Sequence, residues 1–388
     1  MDQRAERAEI VVDAAAIRAN ARLLRATAGV PLIAVVKADG YGHGMVPAAR
    51  AAREGGADWI ATATQDEALA LRAAGDTGPL LCWLAVPGED YADAVAAGID
   101  VTAYSVEQLD AIAAGVTDTP ARVQLKVDTG LWRGGAVPAD WPRLFERARE
   151  GERAGLWRIT GIWSHFACSD EPDHPANDQQ QAVFDDALSA AAAAGLDPEV
   201  RHLANSAATL LRPGARYDAV RCGIALYGQD PAPGHTADIG LRPAMTVRTH
   251  LAMVKHLQPG ASVSYGHTWT ADRPTTVGLV PLGYGDGVPR HASNLATVGV
   301  AGKRRPIRGR VCMDQFVVDL DGDDVAPGTE VVLFGEPDAG TPTAQDWAAA
   351  IDTINYEIVT RIGGTRVPRR WIDTDGAHDT HHTESEES

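Results

Sequence analysis

AVVKADGYGHG, residues 34–44, is the stretch on which the reading of this chain turns. An apolar run that reads as a buried strand ends on Lys37, and a loop containing Gly40, Tyr41, Gly42, His43 and Gly44 follows at once. An amine is costly to desolvate. A lysine at the end of a buried strand therefore either snorkels to the surface or does chemistry where it stands.

Outward from this stretch, β-rich and helix-patterned segments alternate. VPLIAVVKA leads to a helical pattern ending at Ala57, DWIATAT to QDEALALRAAG, GPLLCWLA to DYADAVAAG, and DVTAYS to VEQLDAIAAG. ARVQLKV, RITGIWSHF and EVRHLANS continue the series, each with a helix after it, and YDAVRCGIALYG closes it as an eighth strand. Apolar residues at Val183, Phe184, Ala187, Leu188 and Ala191 share one helical stripe, and Gly75, Gly98 and Gly195 sit where helices should stop. Eight βα units predict an α/β fold, a (β/α)8 TIM-like barrel of the kind that typically takes ~250 residues. A doubly wound open sheet is the alternative.

Beyond about residue 240 the texture changes to short β-rich runs between turn residues, among them AMTVRTHLAMV, TTVGLVPLGY, CMDQFVVDL and TEVVLFG, with one helix at TAQDWAAAI. DPAPGHTADIG is the linker candidate. The expected division is a barrel over 9–237, a mainly β C-terminal domain over 238–374 and an acidic, disordered tail over 375–388. The strand AEIVVD precedes the first barrel helix and can join the β domain instead.

Composition narrows the function. A net charge of −17 argues against a broad nucleic-acid surface, and no apolar stretch approaches the ~20 residues of a membrane span. The start, MDQRAERAE, has no apolar core of a secretory signal, so a cytoplasmic location is expected. Cys82, Cys168, Cys222 and Cys312 are scattered, which fits reduced thiols buried as small hydrophobes and argues against a zinc site. His381 and His382 in the tail read as solvated, and no metal is expected.

In a βα barrel the reacting groups gather at the carboxyl ends of the strands, and phosphate groups commonly sit after strands seven and eight. Lys37 ends the first barrel strand, Lys126 the fifth with Arg133 just beyond, His165 the sixth, and Asn205 and Ser206 the seventh; Arg221 and Gly223 lie on the eighth. Singly, each reads as a rim residue, a helix cap or an ion-pair partner. Together they place hydroxyl and backbone donors where a phosphate belongs, with an amine nearby that can form a Schiff base. That combination points to pyridoxal 5'-phosphate.

At this point the motifs resemble those of the alanine racemase family. AVVKADGYGHG is similar to its cofactor-lysine signature, and the likeness continues through KVDTGLWR, GIWSHFA, NSAATL, VRCGIALYG, SVSYGHTW, PLGYGDGVPR, GRVCMDQFVVDL, NYEIVTRI and RVPRRW. The resemblance implies a barrel followed by a β domain, and a homodimer with active sites shared between subunits. It implies a pyridoxal-phosphate-dependent isomerase that interconverts L- and D-alanine for peptidoglycan. Lys37 and the partner's Tyr265 would be the two bases. A tyrosine is a poor base at neutral pH, so Tyr265 would depend on a chain through His165 to Arg221, which also faces the ring nitrogen.

By motif position, Tyr41, Ser206, the backbone of Gly223 and Ile224, and Tyr356 would hold the phosphate, and Arg133 and the partner's Met313 would meet the substrate. Lys126, carbamylated in many members, would position Arg133, and Tyr284 and Asp314 would narrow the entrance. The match departs at Trp132, where members carry a small residue, and at Gly134, often leucine or asparagine in the family. Decarboxylases of the same plan are disfavoured because they place an acid where Arg221 stands. Barrels that only store the cofactor lack the β domain.

Overall fold

The computed structural model describes residues 6–338 and 340–375. The expectation of a disordered tail falls on residues that, from 376 onward, lie outside the described ones. The first strand, β1 (Ala8–Asp13), stands apart from the barrel. Eight parallel strands then follow: β2 (Leu32–Val35), β3 (Trp59–Thr62), β4 (Leu80–Cys82), β5 (Asp100–Ala103), β6 (Ala121–Lys126), β7 (Trp157–Trp163), β8 (Val200–His202) and β9 (Val220–Cys222).

Their order is β8-β7-β6-β5-β4-β3-β2-β9. The two edges meet through backbone bonds from Asp218 to the Arg201 carbonyl (3.0 Å) and from Arg221 to the Ala204 carbonyl (2.9 Å), which bring the sheet round into a TIM-like barrel rather than an open sheet. A parallel sheet is covered on both faces, and every residue of β2 and β3 is accordingly buried. The helix Ala176–Ala193 buries Phe184, Ala187 and Ala191 on the anticipated stripe, with Val183 and Leu188 at its margins.

The second domain is mainly β. Its strands are β10 (Met245–His250), β11 (Met253–Leu257), β12 (Ser262–Val263), β13 (Trp269–Thr270), β14 (Thr275–Val280), β15 (Thr297–Val300), β16 (Lys303–Arg308), β17 (Phe316–Asp319), β18 (Glu330–Phe334) and β19 (Arg369–Ile372). Nine strands share one sheet, in which β1 pairs antiparallel with β10 and parallel with β19.

Three features differ from expectation. Besides the helix Ala344–Ala350, capped by Thr343, a second helix spans Asn355–Arg361. It has no side-chain cap and carries Ile358, Val359 and Thr360, so propensity alone does not disclose it. The strand β16 reads KRRPIR, and its buried Arg305 is accommodated by the Leu320 carbonyl (2.7 Å) and by Asp323. Among the cysteines, all free, Cys82 and Cys222 are buried, but Cys168 and Cys312 are only half-buried.

Residues 230–240 form no helix or strand. The end of that linker is tied to the barrel by Asn20 on the helix Ala14–Ala28. Its amide donates to the carbonyls of Leu226 (3.1 Å) and Arg242 (2.8 Å) and accepts from the Arg242 N–H (2.9 Å). Asn20 is buried, so removing it leaves backbone groups without partners. Asn20→Ala is expected to cost about 2–4 kcal/mol of stability, read as a lower urea midpoint; an unchanged midpoint would contradict this account of the linker.

Candidate active site

Lys37 stands two residues past the end of β2 and opens a five-residue turn, Lys37–Tyr41. Ala38, Asp39, Gly40 and Tyr41 all lie in the left-handed region, with φ of 53°, 52°, 62° and 54°. Left-handed backbone costs an L-residue roughly 1–2 kcal/mol, so the surroundings must impose it. The Ala38 N–H donates to Glu67 (2.7 Å), the Met45 N–H donates to Asp39 (2.9 Å), and Arg369 on β19 reaches both the Asp39 carboxylate (2.7 Å) and the Gly42 carbonyl (2.8 Å). Beneath the turn, His43 donates from Nδ1 to the carbonyls of Gly40 and Tyr41, each at 3.0 Å. Burial pushes the His43 pKa down to about 4, so the ring is neutral. Gly42 is obligatory here, because a Cβ would lie 2.4 Å from the Val359 carbonyl oxygen.

The turn places the Lys37 amine 5.7 Å from the centre of the Trp83 ring. Burial, and then the Arg133 guanidinium, lower the pKa of Lys37. Lys126, at the end of β6, is pushed down to about 8 by burial, with Arg221, Arg133 and Lys37 adding repulsion. Among the described residues no carboxylate forms an ion pair with Lys37, Lys126, Arg133 or Arg221.

Arg221 is buried on β9. Burial lowers its pKa to about 9, so at neutral pH it remains a guanidinium that can only donate. Nη1 donates to His202 Nδ1 (2.9 Å) and to the His202 carbonyl (3.1 Å). Nη2 donates to the carbonyls of Ser164 (2.7 Å) and Leu203 (3.2 Å) and to His165 Nδ1 (3.1 Å). Both Nη groups are thus satisfied by protein, and the Nε–H has no protein acceptor among the described residues. His165 is held neutral by burial and by Arg221 beside it, and its ring proton must sit on Nε2, since Nδ1 accepts.

At the other end of the mouth, Gly223 donates its N–H to Ser206 Oγ (3.0 Å). A Cβ on Gly223 would lie 2.2 Å from the Tyr41 hydroxyl. The Tyr41 and Tyr356 rings are 6.2 Å apart, and Ile224 is buried in the turn after Gly223. Asn205 is the N-cap of the helix Ser206–Leu211: its side-chain oxygen accepts from the Ala208 N–H (3.0 Å) and from Ser169 (2.9 Å). It therefore serves to place Ser206, and its carbonyl oxygen is already engaged.

Tyr265, Met313, Asp314 and Tyr284 do not join this cluster within one chain. Tyr265, Met313 and Asp314 line a separate, open cavity of about 500 Å3 on the β domain, together with His267 and Cys312. Tyr265 is 71% exposed and Met313 53%. The turn that carries Tyr265 is itself unusual, with Ser264 at φ 64° and anchored to the Arg310 carbonyl (2.6 Å). The Tyr284 N–H donates to the Cys312 carbonyl (3.0 Å), and Asp314 pairs with Arg366 (2.6 Å). Trp132 is 76% exposed with φ 57°, a backbone conformation that suits glycine better than an indole.

Sequence reasoning did not single out Trp163, His202, Gln124, Asp39 or Arg369. The Trp163 ring lies 4.6 Å from the Lys126 amine and 4.7 Å from the Arg221 guanidinium, and it stacks on His202. Polar residues at alternate positions of buried strands, such as Gln124 and Lys126 on β6, were the available signal.

Fold and site together define a TIM-like barrel with basic side chains gathered at one mouth and a mainly β domain appended. Residues 12–231 match the family model for the alanine racemase N-terminal domain, and residues 244–371 match that for the alanine racemase C-terminal domain. The chain is 55% identical over 366 residues to the alanine racemase of Salinispora arenicola, covering 94% of this chain and 98% of that one. It is 56% identical over 365 residues to the alanine racemase of Thermobifida fusca, covering 93% and 97%. The crystal structure of the alanine racemase from D-cycloserine producing Streptomyces lavendulae superposes with a TM-score of 0.94 at 50% identity, covering 98% of this chain and all of that one. The chain belongs to the alanine racemase family.

If Arg369 holds the left-handed turn, Arg369→Met should speed hydrogen exchange at the amides of Gly42, Gly44 and Met45 while leaving those of β6 and β7 unchanged. Unaltered exchange in the turn would show that the ion pair does not restrain it.

Proposed function

We propose that the protein is an alanine racemase that interconverts L- and D-alanine with pyridoxal 5'-phosphate bound at Lys37. The observation that carries this reading is the convergence of Lys37, Lys126, Arg133 and Arg221 without ion-paired carboxylates. Such a cluster calls for anionic groups, and the substrate carboxylate answers that need. The cofactor also fits locally: the space that a Cβ on Gly223 would take lies against the Tyr41 hydroxyl, Ser206 and Tyr356 are beside it, and the Arg221 Nε–H is available to a ring nitrogen. When bound, the cofactor supplies an electron sink that makes the α-proton of an attached amino acid removable.

The residues of this chain supply the rest. Desolvation favours the neutral amine of Lys37, the form that acts as nucleophile and as base on one face of the substrate. Arg221 can only donate, so it would leave a ring nitrogen held against its Nε–H as an acceptor, which would limit the electron sink and disfavour side reactions. With its proton on Nε2, His165 can donate to the phenolate of the partner's Tyr265, the base on the opposite face. Arg133, with the partner's Met313, holds the substrate carboxylate. A pKa near 8 leaves Lys126 a substantial neutral fraction, the form that adds carbon dioxide, and a Cβ at Gly134 would come no nearer than 3.7 Å to its amine, so the space there is open. Carbamylated, Lys126 would attract and orient Arg133, and intact-mass measurement reads that modification directly.

Exposure supports a homodimer. Trp132, Leu84 and Val86 stand uncovered on barrel loops, as do Tyr265, Tyr284 and Met313 on the β domain. A second copy that docks its β domain over the barrel mouth covers both sets and completes the site. Tyr284 and the Asp314–Arg366 pair would then narrow the approach to a substrate as small as alanine. Among the described residues no helix is long and apolar enough to cross a membrane. We place the enzyme in the cytoplasm, supplying D-alanine for peptidoglycan.

Two variants test the reading together. Lys37→Ala and Tyr265→Phe should each abolish racemisation of L-alanine, followed by chiral chromatography. Refolding an equal mixture should restore about a quarter of wild-type activity, since half the dimers then carry one complete site. No recovery would place Tyr265 and Lys37 in the same subunit's site, and full activity of Lys37→Ala would overturn the function itself.

A further inference from the structure

Behind Arg221 the barrel interior contains a row of buried polar side chains. From Arg221 on β9 it runs to His202 on β8, then from His202 Nε2 to Gln124 Oε1 on β6 (2.7 Å), and from Gln124 Nε2 to Asp100 Oδ2 on β5 (3.0 Å). Asp100 also accepts from Thr160 on β7 and from Arg122. His202, Gln124 and Asp100 are each 0% exposed.

The chemistry of the two ends fixes the direction of every bond. The Arg221 guanidinium can only donate, so His202 Nδ1 must be bare and its proton must lie on Nε2. That proton needs an acceptor, so the oxygen of the Gln124 amide must face His202 and its NH2 must face Asp100. Burial raises the Asp100 pKa, but Arg122 in contact with it favours the carboxylate; a carboxylate can only accept, and Asp100 therefore forbids the flipped amide. If the amide turned over, its NH2 would face His202 Nε2, the ring proton would move to Nδ1, and two donors would oppose each other at Arg221.

We propose that Asp100 and Gln124 are positioning residues: through the tautomer of His202 they fix the plane of the Arg221 guanidinium and hence the aim of its free Nε–H. This rests on the racemase reading for its consequence, but the tautomer is independent of it. The arrangement gives the buried Asp100 carboxylate, ion-paired with Arg122, an influence on a site that it does not touch. Asp100 works as a polarity marker for a three-residue relay, and buried networks of this kind are intolerant of partial satisfaction.

The test is 15N NMR of histidine-labelled holoenzyme, with the His202 signals identified by their loss in His202→Gln. Wild type should show a bare Nδ1 and a protonated Nε2. Asp100→Asn and Gln124→Leu should shift His202 toward the Nδ1-protonated form and lower kcat by at least about tenfold, with KM for alanine changed far less. The double variant Asp100→Asn/Gln124→Glu moves the carboxylate one step along the row, so that the amide introduced on β5 donates to the carboxylate introduced on β6, and should restore both the tautomer and most of kcat. A merely structural role predicts no such rescue. A protonated Nδ1 in wild type, or an unchanged tautomer in the folded single variants, would overturn the proposal whether or not the enzyme racemises alanine; failure of the double variant to restore the tautomer would do so as well.

Discussion

Four basic side chains meet at one end of the barrel, and among the described residues no carboxylate lies at ion-pair distance from them. Everything around the site can be read as a response to that constraint. Burial first, and the neighbouring cations second, lower proton affinity in this mouth, which is why Lys37 and Lys126 are both shifted down and why His165 and His202 stay neutral. Arg221 is the one that must remain charged, and it is wrapped in three carbonyls and two imidazole nitrogens rather than paired with an acid. Trp163 offers its face to two of the cations, a partial compensation that adds no negative charge.

The β domain has two distinct relations to this mouth. Within one chain, Arg369 grips the left-handed turn, Val359 packs its carbonyl against Gly42, and Tyr356 completes the cradle beside Tyr41. These contacts bind the helix Asn355–Arg361 and β19 to the lysine loop. Tyr265 and Met313 instead line a separate open cavity, exposed among the described residues. On the proposed reading, the first set makes the cofactor end of the site in cis and the second makes the proton-transfer end in trans. Neither folded chain alone would then be a competent catalyst.

Much of this was legible in the sequence, for a definite reason. Strand alternation fixes which end of a βα barrel carries chemistry, so Lys37, Lys126, His165, Ser206, Arg221 and Gly223 could be placed on one rim from their positions alone. What could not be read depends on distant partners. The left-handed turn at Ala38–Tyr41 exists because Arg369 and Glu67 hold it, and nothing in KADGY announces that two non-glycine residues before Gly40 leave the usual backbone region. The helix Asn355–Arg361 is stabilised by what it packs against, and β16 hides behind four basic residues and a proline. His202, Gln124 and Asp100 look like ordinary polar residues until the closing of the barrel brings four strands' worth of side chains into line.

The central claim is physical: the mouth of the barrel holds the Lys37 amine with a reduced proton affinity, through burial first and the Arg133 charge second. The direct measurement is the titration of the Lys37 nitrogen in 15N-lysine-labelled protein before cofactor is added, in wild type and in Arg133→Met. The account predicts deprotonation below the ordinary lysine range in wild type and a midpoint moved upward in the variant. An ordinary lysine midpoint, unaffected by removing Arg133, would contradict it.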